Sequence, residues 1–496
     1  MDSTPGKTAI LAHRQCPKRL WLMVHDPDRA PTDAPDPMKL AVGADVQRYA
    51  RRSIDPAGVA PVIGRDFGDD HAAVTADALA RHDTVFEAAI SGGGLTVYAD
   101  ILSRDGDAWK LVEVKSGGSA KGHHIEDAAI QTWVAAQAGL QISRIEIAHL
   151  NTKWIYPGDD QRIGMILATD VSKAVFNLLD EVPLWVEAAT KTISSTKMPD
   201  IRWGRQCNAP HACGFAAYCR TLEPEAKHPS EWLPAITKSE LKVLVHEDRV
   251  REMRDIPDDL LNPTQRRVKD CTMAKSVYFD AEGAAADLQP LTYPALFLDF
   301  ETIAPAVPIW AGRRPFQQVP FQFSLHRLSA EGALTHAEFL DLTGTDPSAA
   351  FAAALADVCD KEGPVYAYNA SFEGGVLKEL TAAFPEHAPM LRSIRARLVD
   401  LHPIAKARYY NPTQKGSWSI KAVLPALAPI DYKALDGVQD GTMAQAAWME
   451  AALPTTSAER REVLRSQLLA YCKLDTFAMV EIWRVFSGSL ALKEGV

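Results

Sequence analysis

PALFLDFETI, residues 294–303, is the stretch on which the fold turns. Apart from its acids it is an apolar, aromatic run of strand length, the pattern of a strand buried on both faces. Asp299 and Glu301 stand two positions apart in it, and residues i and i+2 of a strand share a face. Carboxylates that close inside a core repel each other unless a cation lies between them. Downstream, FQFSLHRL (321–328) and FLDL (339–342) read as strands, and a helix ends near Cys359. VYAYN (365–369) is a buried strand, Glu373 opens a helix after NASF, and a last helix covers 467–487. Strands alternating with helices give an α/β layer architecture. Tyr471 and Asp475, at i and i+4, share one face of that last helix. Four acids from three elements can hold two cations about 3.5–4 Å apart, the arrangement for in-line attack on a phosphodiester.

The first half has a different texture. Helical periodicity runs over 38–52, after a Pro- and Asp-rich stretch at 26–37 that reads as an exposed loop. VFEAAI, LTVYADIL and WKLVEV, within 85–114, are separated by SGGG and RDGDA, a meander of strands. A helix over 125–138, the strand IEIAHL (145–150) and a helical span over 170–193 follow. Asp100 lies late in one strand of a hairpin, and Glu113 and Lys115 share a face at the end of the next. Two carboxylates beside a lysine suit a hard divalent cation such as Mg²⁺, with the lysine orienting water or neutralising phosphate charge.

The chain has 496 residues, 47% apolar and 23% charged, which excludes a disordered or fibrous protein. At about 100–200 residues per domain, two to four domains are expected. No apolar run of about 18 residues occurs, so no spanning helix is expected. The first dozen residues lack the apolar core of a secretory signal. With 53 Lys and Arg against 63 Asp and Glu the charge is −10, so any nucleic-acid site must be a local basic patch. The G-x-x-x-x-G-K-[ST] phosphate loop of an ATP motor is absent from the sequence. A soluble, cytoplasmic, multidomain protein with no membrane partner is the expectation.

Seven cysteines in a chain of this length are not a disulfide framework. Cys271, Cys359 and Cys472 are scattered singles that fit as small buried apolar residues. Cys207, Cys213 and Cys219 crowd together, with Cys16 far upstream. Four thiolates suit a tetrahedral zinc ion or an iron–sulfur cluster.

Asp100, Glu113-Val114-Lys115 after an apolar strand, and a following helix with Gln131 resemble the PD-(D/E)XK nucleases, in their RecB-like branch. The resemblance implies a restriction-endonuclease-like domain over residues 1–222. In it Asp100 and Glu113 would bind Mg²⁺ or Mn²⁺, Lys115 would assist catalysis and Gln131 would support the site. Where that branch often supplies a His or Glu shortly after a Gly, this sequence has Gln47. One upstream cysteine and three beyond the core are similar to the iron–sulfur variant of the branch, which includes the CRISPR-adaptation nucleases. That likeness favours a [4Fe–4S] cluster over zinc, held by Cys16, Cys207, Cys213 and Cys219 and pinning the two ends of the domain together.

Asp299-x-Glu301, Asn369-x-x-Phe372-Glu373 and Tyr471-x3-Asp475 together resemble the DnaQ-like exonucleases of the RNase H-like fold, in the DEDDy subgroup. By that resemblance residues 291–496 form an RNase H-like domain. Asp299, Glu301, Glu373 and Asp475 would be its metal ligands, and Tyr471 would orient the attacking water. The family usually has Asp where Glu373 stands, and Asp400 is a second candidate for that place. Residues 223–290 read as a mainly helical connector. The whole chain resembles a bacterial family that joins an iron–sulfur RecB-like nuclease to this exonuclease-like domain.

Arg395, Arg397, Lys406, Arg408, Lys415 and Lys421 are interleaved with Tyr409, Tyr410 and Trp418, with Asp400 the lone acid between 392 and 421. Cations that track phosphates and aromatics that stack bases are what a single-strand channel needs. The same residues also suit a solvated helix face over core aromatics. The expected function is a metal-dependent nuclease acting on single-stranded DNA ends or flaps in repair or defence, with a helicase or other partner to open duplex. An RNA-processing nuclease is one alternative. A nucleic-acid-binding scaffold with one or both sites inactive is the other.

Overall fold

The computed structural model describes residues 5–30, 37–64, 71–160, 162–247, 250–428 and 430–490. Residues 31–36 of the stretch read as a loop lie outside these. The chain is α/β and divides into two units, residues 1–225 with 305–317, and residues 226–304 with 318–496.

A five-stranded sheet carries the first unit, in the order β1 (Thr84–Gly92), β2 (Leu95–Asp105), β3 (Ala108–Val114), β4 (Ile142–Leu150) and β5 (Ile166–Asp170). Helices α1 (Lys7–Gln15), α2 (Pro17–His25), α3 (Pro37–Ile54) and α4 (His71–Arg81) precede it. Strands β1, β2 and β3 pair antiparallel, as the meander of apolar runs leads one to expect. Gly93 and Gly94 close the first hairpin at φ of 60° and 78°, conformations that a tight turn demands and side chains resist. Strands β3 and β4 are parallel, which requires a crossover, and α5 (Gly122–Gln137) supplies it. This helix lies against the sheet through Ala128, Ala129, Ile130, Val134 and Ala135, all fully buried. The helical span expected at 170–193 is broken into Ser172–Phe176, a short turn and Val182–Ser194. Pro183 accounts for the restart, since proline suits only the first turn of a helix.

The first strand of the second unit is the short β6 (Tyr278–Phe279), which follows helices such as Pro263–Ala274. Its main sheet comprises β7 (Ala295–Ile303), β8 (Val319–Leu328), β9 (Leu334–Leu340), β10 (Val365–Ala367) and β11 (Leu398–Asp400). The order across the sheet is β11-β10-β7-β8-β9, so the strand carrying Asp299 and Glu301 is central. Strands β7, β8 and β9 pair antiparallel, whereas β10 and β11 run parallel to β7. A further strand, β12 (Tyr409–Tyr410), pairs with β6. Helices Ser371–Ala383 and Ala458–Phe486 bring Glu373, Tyr471 and Asp475.

The stretch 223–290 is not a mere connector. From residue 226 onward it belongs to the second unit. Leu233, Leu241, Met253, Val268 and Leu288 share one core with Phe297, Tyr409 and Trp483. Their apolar side chains have somewhere to go only in that core, which explains the stretch's helical patterning. Among the described residues no helix is long and apolar enough to cross a membrane.

Candidate active sites

In the second unit, central strand β7 presents Asp299, half-buried, and Glu301, buried, to one cleft of about 320 Å³. Buried Glu373 enters from the first turn of its helix, and buried Asp475 and Tyr471 enter from the long C-terminal helix. The four acids expected to converge therefore do so. Facing them is Lys421, which also lines the cleft. Its ammonium lies 5.2 Å and 5.0 Å from the ring centres of Tyr432 and Tyr471 and donates to the Gln439 carbonyl at 2.7 Å.

Burial and the surrounding acids raise the carboxyls of this cleft. Asp299 lies well above the ordinary carboxylate range, through desolvation and then through Asp475, Glu301 and Glu373. Desolvation, reinforced by Asp475, pushes Glu301 up to about 8. Glu373 reaches about 8 chiefly by burial, with Asp400 adding to it. The Oε2 atom of Glu373 is buried with no hydrogen-bond partner. Four acids against one lysine, with an orphaned carboxylate oxygen, form a donor set that fits hard divalent cations such as Mg²⁺ or Mn²⁺.

Two neighbours of this site were not foreseen. Tyr432 donates from its hydroxyl to Asp475 Oδ1 at 2.6 Å, and nothing in its sequence surroundings signals it. Cys472, read as a buried single, has its Sγ 3.7 Å from Asp299 Oδ2. Asp400, the second candidate for the place of Glu373, does not line the cleft. Its Oδ1 accepts from the backbone amides of Asn369, at 3.0 Å, and His402, at 2.9 Å, which makes it a helix cap.

In the first unit, Lys115 Nζ donates at 2.7 Å to both Glu113 Oε1 and Asp127 Oδ2. Glu113 and Lys115 thus share a face, as their spacing requires. Gln131 is fully buried on α5, and its Nε2 donates to Glu113 Oε2 at 2.7 Å and Asp127 Oδ1 at 3.1 Å. Asp100 Oδ2 accepts the Val114 amide at 2.7 Å, and Asp100 Oδ1 accepts from Gln47 Nε2 at 3.3 Å. Burial first, and Glu113 second, push Asp100 up to about 8. Burial would raise Asp127 too, but Lys115 and Lys7 outweigh it and hold that carboxyl below its usual range. Asp127 and Lys7 were missed. The i, i+4 spacing from Asp127 to Gln131 was a usable signal, whereas Lys7 arrives from a helix a hundred residues upstream. Oxygen donors at Asp100 and Glu113 fit a hard cation here as well.

Cys16, Cys207, Cys213 and Cys219 also converge. Burial raises the Cys219 thiol to about 11, and the proximity of Cys207, Cys213 and Cys16 adds to the shift. Burial likewise raises Cys16, with Cys207 and Cys213 among its neighbours. The Cys213 amide donates to the Cys207 carbonyl at 2.8 Å. Beside Cys16, Gln15 Nε2 donates to the carbonyls of Gln206 and His211, both at 2.8 Å, and so ties the N-terminal helices to the cysteine loop. Four free thiols, two of them buried, form a donor set for zinc or an iron–sulfur cluster, either of which binds cysteine as thiolate.

The basic and aromatic segment is largely corrected. Tyr409 and Tyr410 are fully buried and Trp418 nearly so, hence they are core residues rather than stacking platforms. The Tyr409 hydroxyl donates to Ala426, and Trp418 Nε1 donates to the Tyr409 carbonyl at 2.7 Å. Arg397 is spent on the carbonyls of Asp360, Glu362 and Gly363. Arg408 is paired with Asp280 and Asp287. Lys415 sits over the Trp232 ring at 5.6 Å. Arg395 is exposed and Lys406 half-buried, and neither lines the cleft. Lys421 alone among the nine does so.

A family described as a domain of unknown function (DUF2779) matches residues 296–419, about a quarter of the chain. The match contains Asp299, Glu301 and Glu373 and ends before Lys421, Tyr471 and Asp475. No curated protein matches the chain.

Proposed function

We propose that the protein is a metal-dependent nuclease with two sites, hydrolysing phosphodiester bonds of DNA at single-stranded ends or flaps, in repair or defence. The observation that carries this is the meeting of Asp299, Glu301, Glu373 and Asp475 in one cleft with a single facing lysine. So much unbalanced negative charge at partly dry positions is costly without cations. The order β11-β10-β7-β8-β9, with only β8 antiparallel to central β7 and its parallel neighbours, supports an RNase H-like assignment for this unit.

Divalent cations held by these four acids would supply Lewis-acid stabilisation and an activated water. The protein's own part is positioning. Tyr432 fixes Asp475 through its 2.6 Å hydrogen bond. The Tyr471 phenol, raised far above its ordinary range by burial and by Asp475, stays protonated and can orient the attacking water. Lys421, which lines the cleft, would set its ammonium against a phosphate bound there. In the first unit Asp100 and Glu113 would hold the cation, Gln131 steers Glu113, and Lys115 offsets developing phosphate charge. A [4Fe–4S] cluster on the four cysteines would close a chain loop of nearly two hundred residues, which is a structural role.

Calorimetry with Mn²⁺ tests the assignment. The intact protein should bind Mn²⁺, and Asp299→Ala should lose the second-unit binding together with degradation of 3′-ended single strands. Unchanged Mn²⁺ binding and unchanged degradation in Asp299→Ala would contradict it.

A further inference from the structure

Lys7 is unused by the mechanism above, yet it occupies a singular place in the first unit. It is the first residue of α1, and its side chain is about one-quarter exposed. Its Nζ lies 2.7 Å from Asp127 Oδ1 and 3.7 Å from Glu113 Oε1. It borders two clefts at once. One, of about 430 Å³, also contains Gln47 and Asp100. The other, of about 1080 Å³, contains Lys115, Lys121, Arg14, Arg19 and His211.

The charges around it decide its role. Lys115 by itself reaches both Glu113 and Asp127 at 2.7 Å, so those two carboxylates are already paired with one ammonium. Arg14 is engaged by Glu126 at 2.6 Å, and Arg19 donates to Gln15. Lys7 makes one short contact, to Asp127, and an ammonium has three N–H donors. Because Lys7 lines both clefts, a ligand in either could use its remaining donors.

We infer that Lys7 is a second phosphate-holding lysine of the first site, seating a backbone phosphate of the strand that runs from the larger cleft toward Asp100. This rests on the nuclease assignment of that site. Its ligand is a nucleic-acid phosphate without regard to base, because an ammonium is a point charge that reads no sequence. A purely structural Lys7 would instead serve only to neutralise Asp127.

Full-length protein carrying Asp299→Ala isolates the first site for the test. Binding of a labelled single strand is measured in Ca²⁺ over a range of salt, and cleavage kinetics are measured in Mn²⁺. Lys7→Ala should weaken binding about tenfold and reduce the salt slope by about 0.7, the loss of one phosphate contact on a single strand. It should raise KM more than it lowers kcat, Lys7→Arg should restore the salt slope, and adding Asp127→Asn should not rescue binding. A parent that cleaves while Lys7→Ala keeps its affinity and slope overturns the inference alone. Rescue by Asp127→Asn likewise overturns it, leaving a counter-ion. Lys7→Ala with a much lower unfolding temperature that Lys7→Arg does not recover also assigns Lys7 to structure. A parent that neither binds nor cleaves overturns the assignment of the site, and the role of Lys7 with it.

Discussion

Glu301 and Glu373 hold their protons to about pH 8 in the folded protein, against an ordinary value of 4.5. Burial is the first cause for both. A carboxyl whose folded value is raised contributes most stability below its unfolded value, and that contribution is lost as pH rises through the folded value. The metal-free protein should therefore lose stability between about pH 4.5 and about pH 8, with Glu301→Gln flattening the slope. Saturating Mn²⁺ should reverse the trend, because cations at the proposed site would bind the ionised acids of the folded state. Thermal unfolding with and without chelator, across that window, reads both effects; a slope indifferent to Glu301→Gln would contradict them. Tyr432→Phe removes a buried donor from Asp475 and should cost about 1–2 kcal/mol in chemical denaturation and reduce 3′-end degradation. An unchanged denaturation midpoint would show that Asp475 finds another donor. Asp299 and Glu301 were legible because two acids in an apolar strand break its pattern. Tyr432 and Lys7 were not, since each acts on a residue remote in sequence and sits in an unremarkable local context.

The elements that place these groups differ in how openly they announce themselves. Strands β7 and β8 are long and apolar, and their alternation with helices was plain. Strands β5 and β11 escaped because one is short and mostly exposed and the other has three residues. The aromatic run at 409–418 was misassigned because spacing shows that cations and aromatics alternate, not which of them point inward. Burial of Tyr409, Tyr410 and Trp418 settles that. The N-terminal helices are tied to the segment after β5 by Gln15, Lys18 and Trp21, with Cys16 at the centre of these links. A bound group on the four cysteines would extend that tie. Protein purified without oxygen should be brown, with absorbance near roughly 400 nm. Cys207→Ala should bleach it and expose the first unit to protease. Stoichiometric zinc without iron would remove the iron–sulfur assignment while leaving the tie in place.

Each unit carries its own core and its own cluster of acids, and the two clusters share no residue. The division was only partly legible. Residues 223–290 read as connective because their charge is mixed and Pro257 and Pro263 break them, yet their apolar side chains complete the second core. Separate sites should give separable activities. The most direct test is cleavage of end-labelled and circular DNA and RNA by the full-length protein with Mg²⁺ or Mn²⁺, compared among the parent, Lys115→Ala and Asp299→Ala. Removing either side chain should abolish one activity and spare the other, with loss of 3′-end degradation following Asp299→Ala. If neither substitution alters any cleavage, the two-site nuclease assignment is wrong.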